Sequence, residues 1–320
     1  MSIFKKITAI SILTTVFFAP ASFADNDYPT KRMNYTIAFG PGGGNDLMSR
    51  TVVDILKKYD IYEPTIRVDN LAGGSGAVGF NFVAKKKGSE YNMTSTSGNF
   101  LGTPLISNTG WTYRDFTPIG LLAQDAMFIV VRADSKFKTA KDFVEHAKNN
   151  RVTIGGTGAA GPERVTASLF SQVAGFNFDY VPSQSGGGMV TSLTSNSVDA
   201  IVANPSEVSG QIAAGKFRAL AYSEAQRSTV YKDVPTFKEQ GYDFAFSLPR
   251  GIVMPAGISK EVQQWWIAAL KKVIATKEWK SYLKTNSLSG NTMWGEEFSA
   301  NLAHTSADFE RVLKEIGAVK

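Results

Sequence analysis

Two glycine-rich loops, about 115 residues apart, have the composition of anion cradles. The first reads FGPGGGND over residues 39–46; it follows a short apolar run and precedes a helical pattern. Glycines let backbone N–H groups approach a ligand closely, and the helix behind presents unpaired N–H groups and the positive end of its dipole. Phe39, Gly42, Gly43, Asn45 and Asp46 are its candidate contacts. No Gly-Lys-Ser/Thr follows, so no lysine reaches a terminal phosphate and the loop is not of the Walker type. The second loop contains GTGAAG over residues 156–161, with Asp179 about 20 residues further on, which is literally the dinucleotide fingerprint. Three features weigh against a nucleotide: an export signal, the motif's place in mid-chain, and no catalytic acid or base that stands out. The same geometry suits any small oxyanion, with Thr157, Gly158, Ala159 and Ala160 as contacts.

Two such loops facing each other across a hinge would clamp a molecule with two separated carboxylates. Helix termini alone do not suffice, since each contributes up to ~2 kcal/mol when partly buried. Micromolar affinity needs about 8 kcal/mol. The remainder must come from charge-assisted hydrogen bonds at roughly 1.5–3 kcal/mol each. Ser95, Thr96, Ser97 and Asn99 in TSTSGNF, with Thr157, Ser183 and Asn204, are the plausible donors.

The elements that must hold these loops alternate between strand-like and helix-like segments, as in an α/β protein with largely parallel sheets. Residues 35–39 read as a strand and 46–58 as an amphipathic helix whose Leu47, Met48, Val52, Ile55 and Leu56 share a face. The same grammar returns at 152–154 (strand), 155–161 (loop) and 162–173 (helix, with Pro162 in its first turn). Two such units predict two similar lobes. The apolar stretch 118–132 is long enough to pass from one lobe to the other, and 217–222 and 244–254 are candidate returns, so two or three crossing strands make a hinge. The expected division is a leader over 1–24, one lobe from 25–125 with 223–320, and a second from 126–222. Near the C-terminus, Val262, Trp265, Trp266, Ala269, Leu270 and Val273 form one packing stripe, and Phe298, Leu302, Phe309, Val312, Leu313 and Ile316 another.

Lys5 and Lys6, an apolar run over residues 7–18 and small residues at Ala21, Ser22 and Ala24 form a secretory leader, with cleavage expected after Ala24. The run is too short for a bilayer-spanning helix, which needs about 20 residues, although an uncleaved anchor is the alternative. The remaining 296 residues are enough for two domains. There are no cysteines, which excludes disulfides and thiol chemistry, and only His146 and His304, both read as surface residues, so histidine-rich metal sites are not expected. Net charge is +6, or +4 without the leader (32 basic against 28 acidic residues), mild and scattered. No basic stripe interleaved with aromatics marks a nucleic-acid surface.

These segments resemble the periplasmic receptors of tripartite tricarboxylate transporters, the TctC or Bug type. The resemblance runs from Tyr35 to the C-terminus and rests on FGPGGGND, NLAGGSGAVGF, TSTSGNFLGTPL, WTYRDFTPIGLLAQDAMFIVVR, GAAGPERV, VDAIVANPSEVSGQIAAGKFRALA, YKDVPTFKEQGYDF and RGIVMPAGIS in that order. It implies a two-lobed Venus-flytrap fold of the type II periplasmic-binding class, no catalysis and no cofactor. It also implies a monomer that binds a small di- or tricarboxylate and partners a large and a small membrane subunit. By position it implies ligand roles for the loop at 39–46, for Ser97 and Asn99, for the loop at 157–161 and for Asn204. Many Bug-type members have an acid beside that asparagine where this chain has Ala203, which argues against an amino ligand. Arg250, before Gly251-Ile252, matches a motif of the tricarboxylate-binding branch and could meet a further carboxylate bidentately; the alternative is a surface arginine paired with Asp243 or Glu239. Competing functions are a receptor that reports to a membrane sensor kinase and an exported enzyme using GTGAAG for a nucleotide.

Overall fold

The computed structural model describes residues 28–157, 161–183, 186–228, 230–315 and 317–319. The expected leader lies outside them, as do Gly158, Ala159 and Ala160 of the second loop.

The chain opens with β1 (Met33–Ile37), α1 (Gly44–Lys58), β2 (Ile66–Asn70), α2 (Ala77–Ala84), β3 (Asn92–Ser95), α3 (Gly98–Ile106) and the long β4 (Phe116–Ala126). It continues with β5 (Phe128–Arg132), α4 (Ala140–Ala147), β6 (Thr153–Thr157), α5 (Pro162–Ala174), β7 (Asp179–Ser183), α6 (Gly186–Thr194), β8 (Ala200–Ala203), α7 (Pro205–Ala213) and β9 (Phe217–Tyr222). It ends with β10 (Ser247–Pro255), α8 (Lys260–Ala275), α9 (Lys277–Thr285), β11 (Met293–Trp294) and α10 (Glu296–Glu315).

The strands form two sheets, ordered β11-β4-β10-β3-β1-β2 and β7-β6-β8-β5-β9. Their inner grammar is the same. Strand β1 lies parallel between β2 and β3, and β6 parallel between β7 and β8. Each trio is then followed by an antiparallel strand, β10 in the first sheet and β5 in the second. Parallel neighbours require helical crossovers, and both faces of such a sheet are covered. That is why β8, AIVA, reads as an unbroken apolar run and is wholly buried, and why Thr36 of β1 is buried although MNYTI alternates.

The apolar stretch 118–132 passes from one sheet to the other in two pieces: β4 belongs to the first sheet, β5 to the second, and Met127 joins them. The return runs from β9 to β10. Ser223, wholly buried, ties the two passages together. Its N–H donates to Met127 O at 2.9 Å, its hydroxyl donates to Phe246 O at 2.6 Å, and it accepts from Met127 N–H at 2.8 Å and Phe246 N–H at 2.7 Å through its two oxygens. Helix α10 packs on α3 and α5, so one helix touches elements joined to each sheet.

Local chemistry explains most element ends. Thr139 and Asp142 form a reciprocal capping box on α4, and Gly175 closes α5 in the left-handed region. Three details differ from the sequence reading. Leu47 is 44% exposed while Met48, Val52, Ile55 and Leu56 are buried, so the core stripe of α1 excludes it. Gly155 and Gly156 are the end of β6 rather than loop. Helix α9, capped by Thr276, was not anticipated.

Candidate functional site

The first glycine loop is built by inward-turned side chains that leave its backbone outward. Gly42, at φ +80°, makes the turn that a side chain would strain. Its N–H donates to Asp46 Oδ2 at 2.9 Å, while Arg50 Nε and Asn70 Nδ2 each donate to Asp46 Oδ1 at 2.9 Å. Burial works against the Asp46 carboxylate, but these donors outweigh it and hold its pKa below the usual range. Asn70 also donates to Phe39 O at 2.9 Å, and the Phe39 ring packs edge-on against Phe80. Asn45 is buried too, bonding Thr96 O at 3.2 Å and accepting from Ser95 Oγ. Gly42, Gly43 and Gly44 remain exposed, and no side chain caps α1 at Gly43. The side chains of Asn45 and Asp46 thus serve the loop, and its outward face is backbone.

Beside it lies the turn after β3. Thr96 is buried, donating to Pro249 O and accepting from Gly251 N–H, each at 2.8 Å, so it joins β3 to β10. Ser97 caps α3 by accepting from Phe100 N–H at 3.3 Å. Asn99 is half-buried, and its side chain has no hydrogen-bond partner among the described residues.

Arg250 stands between this region and the crossing. The sequence alternative of pairing with Asp243 or Glu239 does not hold: Asp243 meets Lys238 at 3.4 Å and Glu239 meets Arg227 at 2.8 Å. Arg250 instead pairs with buried Asp125 at the end of β4, Nε to Oδ2 at 2.9 Å and Nη2 to the same oxygen. Burial opposes the guanidinium's charge, but Asp125 outweighs it and raises its pKa. The other edge of the fork faces the first loop: a Cβ on Gly44 would fall 2.7 Å from Nη1. A β-bulge in β10 between Arg250 and Gly251 places the side chain there.

The second loop rises from β6. Helix α5 begins at Gly161 with Pro162 at its first position, again with no side-chain cap. Asp179 lies at the far end of the β6–β7 pair from the loop, since Thr153 pairs with Asp179 and Thr157 with Ser183. That separation, four residues or about 13 Å along the strand, explains why the fingerprint is only literal. Asp179 bonds Arg151 instead. Asn204, at the end of β8, donates through Nδ2 to Ala126 O at 3.3 Å, and its N–H donates to Glu207 Oε2 at 3.2 Å. Ala203 is buried in the strand, and two acids, Glu163 of α5 and Glu207 of α7, interact electrostatically nearby. Burial pushes the Glu163 carboxyl up to about 8, with the Glu207 and Asp125 charges adding to the rise. Glu207 stays accessible to water, yet the protein crowding its carboxyl, then Asp125, raise its pKa as well.

The two loop regions meet. A Cβ on Gly98, in the first turn of α3, would lie 2.9 Å from Leu248 Cδ2 and 3.2 Å from Pro162 Cγ, in the first turn of α5. Gly44, Arg250 and Asp125 form a continuous line of contacts from the first loop to the crossing, and Glu163 and Glu207 are within electrostatic reach of Asp125. In open α/β sheets, ligands bind beyond the carboxyl ends of parallel strands, where these segments lie. Asp125, Glu163 and Ser223 were missed from sequence; only Glu163, next to GAAGP, carried any local signal. A separate hollow of about 510 Å³ lies elsewhere, lined by Val230, Lys280, Leu283, Lys284, Leu288 and Gly290. His146 and His304 lie away from the site, the first beside Lys136 and Asn150, the second 3.6 Å from Asp308.

Residues 49–318 match the family model described as tripartite tricarboxylate transporter family receptor. Protein BugT of Bordetella pertussis is 26% identical over 263 residues, covering 80% of this chain and 79% of BugT. The crystal structure of a TctC solute binding protein from Polaromonas superposes with a TM-score of 0.81 at 26% identity, over 90% of this chain and 99% of that one. R. palustris Rpa4515 with adipate superposes with a TM-score of 0.77 at 20% identity, over 91% and 99% of the two chains. With a family model spanning most of its length and the two-sheet architecture of the family's solved members, this chain belongs to the TctC family of tripartite tricarboxylate transporter receptors, periplasmic solute-binding proteins and not enzymes.

Proposed function

We propose that this receptor, freed of a leader over residues 1–24, captures a small di- or tricarboxylate between a lobe of residues 25–125 with 223–320 and a lobe of residues 126–222. The closed form, a monomer, then delivers the solute to a large and a small membrane subunit. One observation carries this reading: the first turns of α3 and α5, from segments joined to different sheets, touch at Gly98 and Pro162. A solute held there bridges both lobes. Closure requires tighter binding to the closed than to the open state, and contacts from two lobes supply that difference.

The donors available fit an oxyanion. They are the outward backbone of Gly42, Gly43 and Gly44, the unpartnered side chain of Asn99, the hydroxyls of Ser97 and Thr157, and the Nη1 edge of Arg250. Asp125 occupies the Nε and Nη2 positions of Arg250, so that residue offers one edge rather than a full fork to a further carboxylate. Asn204, its Nδ2 held on Ala126 O, is a further ligand residue of this reading. Gly158, Ala159 and Ala160 are assigned to the site by their place in the loop. A dicarboxylate is also the class found in Rpa4515, with adipate.

The test is a thermal-shift screen of carboxylic acids on the mature protein, followed by titration calorimetry. At least one di- or tricarboxylate raises Tm, and Asn99→Ala lowers its affinity about tenfold, the equivalent of about 1.4 kcal/mol. No response to any acid defeats the reading.

A further inference from the structure

Among the described residues, three buried polar atoms without partners gather at the start of α5: Thr157 Oγ1, Glu163 Oε2 and Tyr180 OH. Two glycines between them measure how close Glu163 stands to Tyr180 and to the Thr157 backbone, and the Thr157 hydroxyl is near enough to Glu163 to lower its pKa slightly against the effect of burial. A Cβ on Gly156 would fall 2.5 Å from Tyr180 OH and 2.6 Å from Glu163 Cβ. One on Gly161 would fall 2.8 Å from Glu163 Oε2 and 2.7 Å from Thr157 O. Glu163 is only 6% exposed, and buried polar groups in folded proteins are nearly always bonded, so three orphans in one place call for a guest.

The charges around Glu163 do not neutralise it. From α7 comes Glu207, and from β4 comes Asp125, whose guanidinium partner Arg250 is already engaged. From β7 comes Tyr180, with the Arg164 guanidinium over its ring at 5.2 Å. Helices α3 and α6 and strand β8 contain no ionisable residue. Helix α10 brings Glu315 to Gln172, nine residues along α5 from Glu163. An ionised Glu163 would therefore face other carboxylates, and would repel an incoming acid as well.

We propose, on the reading of this cleft as a carboxylate site, that Glu163 meets the solute as a neutral carboxylic acid. Its O–H, with the hydroxyls of Thr157 and Tyr180, donates to one carboxylate oxygen of the solute, so that capture depends on a proton the empty receptor already holds. Three O–H donors suit an oxyanion, whose lone pairs accept all of them. Pro162 supplies no N–H to the first turn of α5, so side-chain hydroxyls take the place of a backbone donor. Burial supports the neutral form, with the pKa pushed up to about 8. The proton remains on Glu163 throughout, and no bond to the solute is made.

The experiment uses the mature receptor and Glu163→Gln, titrated by calorimetry with adipate, succinate and citrate from pH 7 to pH 9.5 in two buffers of different ionisation enthalpy. Infrared spectra of the solute-free proteins follow the C=O stretch of protonated carboxyls. The proposal expects affinity for a bound acid to fall towards tenfold per pH unit above the Glu163 transition, with proton uptake approaching one per solute at the alkaline end. Glu163→Gln keeps a donor that cannot ionise, so its affinity is flat with pH. A protonated-carboxyl band at neutral pH is lost in that variant. Affinity that is flat in the wild type, a slope that survives in Glu163→Gln, or a band unchanged by the substitution overturns the proposal. Failure of all three acids to bind at any pH counts against carboxylate capture, while the infrared comparison still decides whether Glu163 holds its proton.

Discussion

The two glycine loops share a plan and differ in their acids. Each follows the central strand of a parallel trio, and each ends in a helix with glycine at its cap position and no side chain capping it. In the first, Asp46 accepts from Gly42, Arg50 and Asn70, and its pKa is held down. In the second, Glu163 keeps an oxygen without a partner, and its pKa is pushed up. An acid just inside a helix N-terminus therefore has no fixed role: donors outweigh burial at Asp46 and make it a structural anion, whereas burial outweighs the nearby donors at Glu163 and favours its neutral form.

Substitutions can break this contrast. The largest stability effect is expected for Asp46→Asn, which removes a buried acceptor of three hydrogen bonds and costs about 2–3 kcal/mol at neutral pH, measured as a lower urea midpoint. Because the folded Asp46 pKa is depressed, its contribution is present above the ordinary 3.8 and lost as pH falls through the lower folded value. The variant's stability consequently varies less with pH over that acidic window. An unchanged acid limb would place the anchoring elsewhere.

Glu163→Gln acts at the other end of the scale. With a folded pKa raised to about 8 from 4.5, wild-type stability is fully present below 4.5 and is lost as pH rises through 8. The variant recovers on the order of 2–3 kcal/mol between pH 6 and pH 9, read from denaturant midpoints across that range. Equal alkaline losses in both proteins would show that Glu163 is not the group that titrates. The smallest stability effect belongs to Gly98→Ala. The added methyl crowds Leu248 and Pro162, costs about 1 kcal/mol, and weakens the thermal shift given by a bound acid because the first turns of α3 and α5 no longer close fully. A full shift in that variant would mean the solute does not depend on this contact.

Much of the framework was legible in the residues themselves. The stripe Met48, Val52, Ile55 and Leu56, proline in the first turn of α5 and the passage between sheets within residues 118–132 all express relations among neighbours in sequence. Periodicity and turn chemistry act over a few residues, and a chain can be read for them without coordinates. The order of motifs likewise led to the receptor family that the family model matches over residues 49–318.

Tertiary structure decided which groups are charged, paired or free. Arg250 and Asp125 are 125 residues apart, and nothing near either residue names the other. The hydrogen bonds of Ser223 to both passages of the crossing, the inward turn of Asn45 and Asp46, and the gathering of Thr157, Glu163 and Tyr180 are of the same kind. Electrostatics depends on distance and burial, and both emerge only when the chain has crossed and recrossed between its sheets. Composition determined that carboxyls would be present, and folding determined which of them keep a proton.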